Sequence, residues 1–354
     1  DTRRRHEERQ LFTRIREWWA AAPADAPTHR WRTASWVLGG LVVLNFSLLL
    51  FFDHEPPGFD VRAVARARTG STDGTLVRGA VTTATLIEVI DRLLHKRGGY
   101  LSNDVLPPGV LMDNLPNWEW GVLVQSRDLA IALRNDFSRS QSQSTEEVNL
   151  VKADNQLRID STSWLFPAAE TEYAGAAGAL ERYLLAISSP TATQVQFYAR
   201  ADNLRNWLAV VEKRLGDLSQ RLGASVGQVR INTDLAGESA AERSTVAPDV
   251  VTVQTPWRQI DDVFFEARGS SWALLQFLRA VEVDFSSVLE KRNAVVSVRQ
   301  IIRELEGTQD LLWSPMVLNG EGFGFVANHS LVMASYISRA NAALIELRML
   351  LERG

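Results

Sequence analysis

From Ala34 to Phe52 the chain reads ASWVLGGLVVLNFSLLLFF, 19 residues without a charge. A helix rises ~1.5 Å per residue, so this run comes close to the roughly 30 Å hydrocarbon core of a bilayer. Only Ser35, Asn45 and Ser47 interrupt its apolar character. A cleaved signal peptide is one alternative. The run is too long for an h-region, starts too far into the chain, and ends in FFDHEPP without a small-residue cleavage site. A buried core helix is the other, and such helices are rarely apolar on every face. The reading is a single transmembrane helix, with the lipid bilayer as a partner.

The flanks give an orientation. Residues 1–33 hold eight arginines against five acids, whereas the other side opens with Asp53, Glu55 and Asp60. Arg62, Arg66 and Arg68 lie further out and weaken the bias without reversing it. Positive charge stays cytoplasmic. The tail is expected inside, and residues 53–354 outside the inner membrane, which in a Gram-negative bacterium means the periplasm. Within the tail, Leu11, Phe12, Ile15, Trp18 and Trp19 form a helical stripe, with Arg9, Arg14 and Arg16 largely off it. That pattern suits a helix lying in the membrane interface, its arginines among anionic headgroups. A protein-binding helix has the same pattern, and both readings stay open. Pro23 and Pro27 then break the helix, and Trp31 and Trp36 read as interface anchors at the start of the span.

Composition narrows the rest. At 45 % hydrophobic and 23 % charged, the 354-residue chain is globular in character. A net charge of −4 argues against nucleic acid as the main partner. The absence of cysteine excludes disulfides, thiolate nucleophiles and cysteine-held metal centres.

Pro56-Pro57-Gly58 and the basic stretch to Gly70 read as a spacer, residues 53–70. Beyond it, 3.6-residue periodicity predicts helices near 76–96, 118–143, 167–188, 192–222, 256–291, 294–306 and 327–353. Gly98-Gly99 stops the first, and Thr255 before Pro256 reads as a helix start. Val250 to Val253 is the best strand, and residues 223–254 otherwise read as a polar linker. The fold class is therefore mainly α: one N-terminal span and a large helical extracytoplasmic domain. Its halves, 71–190 and 191–354, show the same order of features. "LRNDFS" (133–138) precedes Trp164, and "VEVDFS" (281–286) precedes Trp313, at separations of 28 and 29 positions. An internal duplication is one explanation; chance similarity between amphipathic helices is the other.

The stretch "GGYLSNDVLPPGVLMDNLPNWEWGVLVQSRDLAIALRNDFSRSQSQSTEE" resembles the hallmark segment of DUF2333, a family of bacterial membrane-anchored proteins. The similarity runs over most of the chain from the span onward. It implies a proteobacterial inner-membrane protein and brings no activity with it.

The search for chemistry is short. None of the five histidines stands at a zinc-ligand spacing, and GxSxG and SxxK are absent. His95 sits in the last turn of its helix, where a cation is favoured by the helix dipole. "GEGFGF" (320–325) lacks nucleotide-loop spacing and reads as a turn. No cofactor and no metal are expected. Glu88 with Asp91, and Glu304 with Glu306, read as solvated helix faces. Glu119 between Trp118 and Trp120 resembles an acid flanked by sugar-stacking aromatics. The plainer account makes the tryptophans loop anchors, with Leu106, Val110, Leu111, Met112 and Leu115 buried between helices. "SRSQSQSTEE" (138–147) is a helix terminus, an exposed loop or a polar strip toward a partner.

Two function classes follow. One is a non-enzymatic component whose helical domain scaffolds or docks an envelope complex, contacting itself or another membrane protein. Its candidate surface holds Phe264, Phe265, Trp272 and Met333, with Phe277, Leu331 and Ile337. The other is a periplasmic enzyme acting on peptidoglycan or another glycan, with Glu119 as its acid. A ligand sensor or transport accessory is a third possibility.

Overall fold

The computed structural model describes residues 28–71, 75–139, 145–189, 195–232, 249–310, 312, 317 and 329–353. Trp18, Trp19, Arg14, Arg16, Trp313 and "GEGFGF" lie outside them, as does half of "SRSQSQSTEE" (140–144). The chain divides after Phe51 into two compact units.

In the first unit, helix α1 (Thr28–Phe52) begins directly after Pro27 in the sequence. Its segment Thr33–Phe52 is long and apolar enough to cross a membrane, and none of it is buried. The donors of the polar interruptions bond back within the helix, whereas Asn45 Oδ1 has no partner among the described residues. Ser35 Oγ donates to the Trp31 carbonyl (2.8 Å), Asn45 Nδ2 to Leu41 (3.3 Å) and Ser47 Oγ to Val43 (2.9 Å). Such back-bonding lets small polar side chains sit in hydrocarbon without an unpaired donor. Trp31 and Trp36 are exposed on this helix.

The second unit, Phe52–Gly354, is helical. In order come α2 (Val61–Thr69), α3 (Ala80–His95), α4 (Asn114–Ala132), α5 (Val148–Leu157), α6 (Ala169–Ser188) and α7 (Ala201–Gly223). Strands β1 (Gln228–Ile231) and β2 (Val250–Val253) follow, then α8 (Ile260–Asp284), α9 (Ser286–Lys291), α10 (Val295–Gly307) and α11 (His329–Glu352). The mainly α expectation holds. Of the segment read as a polar linker or exposed loop, 233–248 lies outside the described residues. Val250–Val253 is the expected strand, and β1, which was not expected, pairs antiparallel with it, Gln228 opposite Val253, in a hairpin exposed along most of its length. Thr255 caps no helix. Its amide and hydroxyl bond back to the end of α7, and one 3-10 turn (Trp257–Gln259) precedes α8.

Residues 53–70 are not a free spacer. Asp60 caps α2 by accepting from the amides of Arg62 (2.8 Å) and Ala63 (3.1 Å). Val61 and Ala65 are buried, and Glu55 pairs with Arg268 at 2.7 Å. The i, i+4 apolar pair was hidden by the arginines around it. Helix α5 was missed too, being only ten residues long.

At the centre α4 and α8 run parallel, the most extensive helix pair, followed by α7 with α11. Asn117 Nδ2 donates to Asp262 (2.7 Å) at one end, and the rings of Phe137 and Phe285 meet at 5.2 Å at the other. Between them two glycines bring the backbones together. A Cβ on Gly121 would lie 2.1 Å from the Glu266 carbonyl oxygen, and one on Gly269 2.0 Å from that of Trp118. The contact is reciprocal, because both glycines stand three residues after the carbonyl that the other approaches. The flanking pairs also correspond: α3 packs on α6 as α7 does on α11, and α5 on α6 as α10 does on α11.

Gly121→Ala and Gly269→Ala should each destabilise by about 1–3 kcal/mol or more, because backbone cannot yield as a side-chain tip does. Gly178→Ala, whose Cβ would find nothing nearer than 3.8 Å, should stabilise by up to ~1 kcal/mol through helix propensity. Thermal unfolding of the three variants checks the contrast.

Candidate functional site

The tryptophan-flanked acid is the place to begin. Helix α3 ends where Gly98 and Gly99 adopt left-handed φ of 85° and 76°. A side chain at Gly98 would also strike the Phe52 ring, 2.7 Å from its Cβ. The turned chain aims the amides of Leu101 and Ser102 at Glu119, one turn into α4. Both donate to its carboxylate at 2.8 Å, and Ser102 Oγ and Lys96 Nζ close on it as well. The side chains of Lys96 and Glu119 are 1 % and 0 % exposed. Burial pushes the Glu119 carboxyl above the ordinary range, and Lys96 and the other donors pull it back. A carboxylate that accepts four donors in a sealed site fastens the α3–α4 loop to α4. It has no free edge for a substrate, so Glu119 cannot serve as an exposed acid.

The tryptophans on either side of it separate. Trp118 is fully buried against Trp272 of α8, ring centroids 5.2 Å apart, and Trp272 also meets Phe59 at 6.3 Å. Trp120 is 37 % exposed, with the Arg127 guanidinium 5.3 Å from its ring centre. The plug expectation fails for most of its residues. Leu115 is buried, but Leu106, Val110 and Leu111 are 73 %, 51 % and 63 % exposed, and Met112 is half-buried. The 3-10 turn at Gly109–Leu111 is too short to turn a continuous face to the core.

The candidate interaction surface is mostly core. Phe264, Trp272, Phe277, Met333 and Ile337 are buried, Phe265 packs against them, and Leu331 is 39 % exposed. One large unit has interior enough to take them.

The other carboxylates are engaged in ion pairs. Arg68 binds Glu88 (2.9 Å), Asp91 and Glu181 (2.9 Å), and Arg92 also reaches Glu88 (2.8 Å). Against the cost of burial, the two guanidiniums hold Glu88 below its usual range. Glu304 and Glu306 pair apart, with Arg339 (2.7 Å) and Arg279 (2.6 Å). His95 Nδ1 lies 2.9 Å from the Asp91 carbonyl.

The roles of several polar side chains escaped sequence reasoning. Arg268, 7 % exposed, holds Glu55 and donates to the carbonyls of Thr308 and Asp310, both at 2.9 Å, closing the end of α10. Asp284, at the end of α8, accepts from the amide and hydroxyl of Thr82, each at 2.7 Å. It thereby caps α3, whose own N-cap is Gly79. Asp136, in the matching "DFS", stands beside the start of α7 and accepts from Asn206 (3.1 Å). Gln125 and Gln276 are buried without protein partners for their amides. Among the described residues no His/Asp/Glu group is arranged to hold a metal. An open recess of about 140 Å³ beside Arg268, His329 and Tyr336 is small against the roughly 300–1,000 Å³ of ligand sites.

A family model described as an uncharacterized protein conserved in bacteria, DUF2333, matches residues 26–354. The chain belongs to that family. No curated protein and no solved structure matches it.

Removing one partner of the sealed pair strands the other, so Glu119→Ala or Lys96→Ala should cost about 3–5 kcal/mol. The double change, Lys96→Ala with Glu119→Ala, should cost less than the two single changes summed; denaturant titrations give the cycle. For Asp284, burial raises the carboxyl to about 6 despite the Thr82 donors. The folded chain then holds this proton more tightly than the unfolded chain. The associated stability is present below about pH 4 and lost as pH rises through about 6, roughly 3 kcal/mol in all. Asp284→Ala should remove that increment from urea midpoints compared across this window.

Proposed function

We propose that this DUF2333 member is a non-enzymatic, single-span inner-membrane protein whose periplasmic helical domain scaffolds or docks an envelope complex. The observation that carries the reading is the fate of Glu119. The enzyme alternative rests on that acid, and its carboxylate is fully taken up in tying one loop to α4. The apolar helix Thr33–Phe52 supports the anchor, and the charge asymmetry of its flanks supports a cytoplasmic N-terminus. Partner contact is assigned to the outer faces of the α7/α11 pair, where Val210, Ile345 and Met349 are 39–43 % exposed. Arg348–Glu212 and Arg205–Glu352 bridge the same two helices. The same reading treats the two halves as a duplicated unit. The reciprocal Gly121/Gly269 contact and the crossed placement of Asp284 and Asp136 support it.

A reporter active only outside the cytoplasm should work after Gly354 and fail at Arg32; the reverse pattern overturns the topology. Photo-crosslinkers at Val210 and Met349 should form defined adducts with the same protein, or with a second copy, in intact membranes. Unadducted chain at both positions would count against docking. Release of glycan fragments by the purified protein, abolished by Glu119→Gln with helicity retained, would put the enzyme ahead.

A further inference from the structure

The end of the second unit that holds Phe52 carries an unusual concentration of exposed apolar side chains. Phe52 is the last residue of the apolar segment and packs on Gly98 within this unit. Fifteen residues of loop later, the chain has presented Leu106, Val110 and Leu111 to solvent, between Gly98 and Asp113. Beside that loop lies a second one. Tyr100 donates to the Ser161 carbonyl (3.1 Å), and Asn103 Nδ2 donates to Ser163 (3.0 Å) and Glu170 (2.7 Å). From this neighbouring turn Trp164, Leu165 and Phe166 stand out, 55 %, 49 % and 90 % exposed.

The second turn is built to hold them there. Ser163 Oγ donates to the Pro167 carbonyl (2.7 Å), the Ala169 amide to Ser163 (2.9 Å), and Asp160 accepts from Thr162. Phe166 has φ of 55°, a left-handed conformation that a bulky residue adopts at a cost. A strained backbone that delivers an aromatic side chain into solvent has no explanation in the core. Trp257, 81 % exposed, joins this end, because the first turns of α4 and α8 meet through Asn117 and Asp262.

We propose that these loops are a lipid-contacting surface: Leu106, Leu111, Trp164, Leu165 and Phe166 enter the interface of the leaflet from which the span emerges. The occupant follows from continuity. The chain leaves hydrocarbon at Phe52, and Phe52 sits on Gly98 at the base of the first loop, so the loop stands at the level of the headgroups. Tryptophan and phenylalanine beside leucine suit that depth. Charges at this end are of mixed sign, Asp53, Asp104 and Asp113 with Arg97 and Arg258. Binding is therefore apolar and independent of anionic lipid.

The proposal rests on the span assigned above, and the test separates the two. With no native cysteine, single cysteines at positions 106, 111 and 166 of the full chain carry an environment-sensitive fluorophore. Positions 148 and 296, each 77 % exposed at helix starts on the opposite end, are controls. All five are introduced where side chains face solvent, and circular dichroism checks the fold. In phosphatidylcholine vesicles, labels at 106, 111 and 166 should shift to the blue and lose emission with brominated lipid, unchanged by salt. The controls should respond to aqueous iodide alone. A chain that does not float with vesicles overturns both the span and the lipid contact. A floating chain whose three loop labels are quenched like the controls overturns the contact only. A blue shift that grows with protein density but ignores brominated lipid also overturns it, and assigns the surface to a second copy.

Discussion

Two glycines set the spacing on which the helical unit is built. Helices whose contact residues carry side chains pack with axes about 8–10 Å apart. At Gly121 and Gly269 there is no Cβ to hold α4 and α8 off, and each backbone lies against the other's carbonyl. That approach lets Trp118 and Trp272 pack against one another beside the seam, and brings Phe137 onto Phe285 at its far end. Everything else in the unit is arranged on this pair. Helices α3 and α7 each touch both members of it, and α6 and α11 close over the outside.

The polar interior serves the same frame. A helix that starts with glycine has no side chain of its own for its first amides, and α3 starts after Gly79. Asp284 supplies the missing acceptor from the opposite half, so the end of α8 and the beginning of α3 are fixed together. Glu119 does the equivalent for the loop after α3, and Arg268 for the carbonyls after α10. Each is a charge placed where a backbone end would otherwise be buried unpaired.

The sequence made the helices legible wherever a face repeated over more than three turns, as in α3, α7 and α10. It concealed α2, because three arginines mask Val61 and Ala65, and β1, because an exposed hairpin leaves no alternation of burial. The two "DFS" segments were visible as a repeated string, but their meaning was not: Asp284 acts on a helix 202 positions away and Asp136 on one 70 positions away. Glu119 was the most misleading residue. Flanking tryptophans suggested a sugar site, yet on a helix neighbours at i±1 point in different directions. Trp118 therefore goes into the core, Trp120 toward the surface, and the acid back to the preceding loop.

The apolar loop residues illustrate the opposite error. Leucine and valine in a loop were read as core on the premise that water is the only alternative to protein. With the span proposed above, that premise is incomplete, because a bilayer would be a second apolar phase within reach of one end. Hydrophobic residues near the span can satisfy the hydrophobic effect without entering the core. Their exposure at the end that holds Phe52, set against the salt-bridged flanks of α3 and α10, gives the unit a polarity that burial alone does not require. A domain free in solution would gain stability by folding such loops inward. One tethered to a membrane, as proposed for this chain, would gain by keeping them outside.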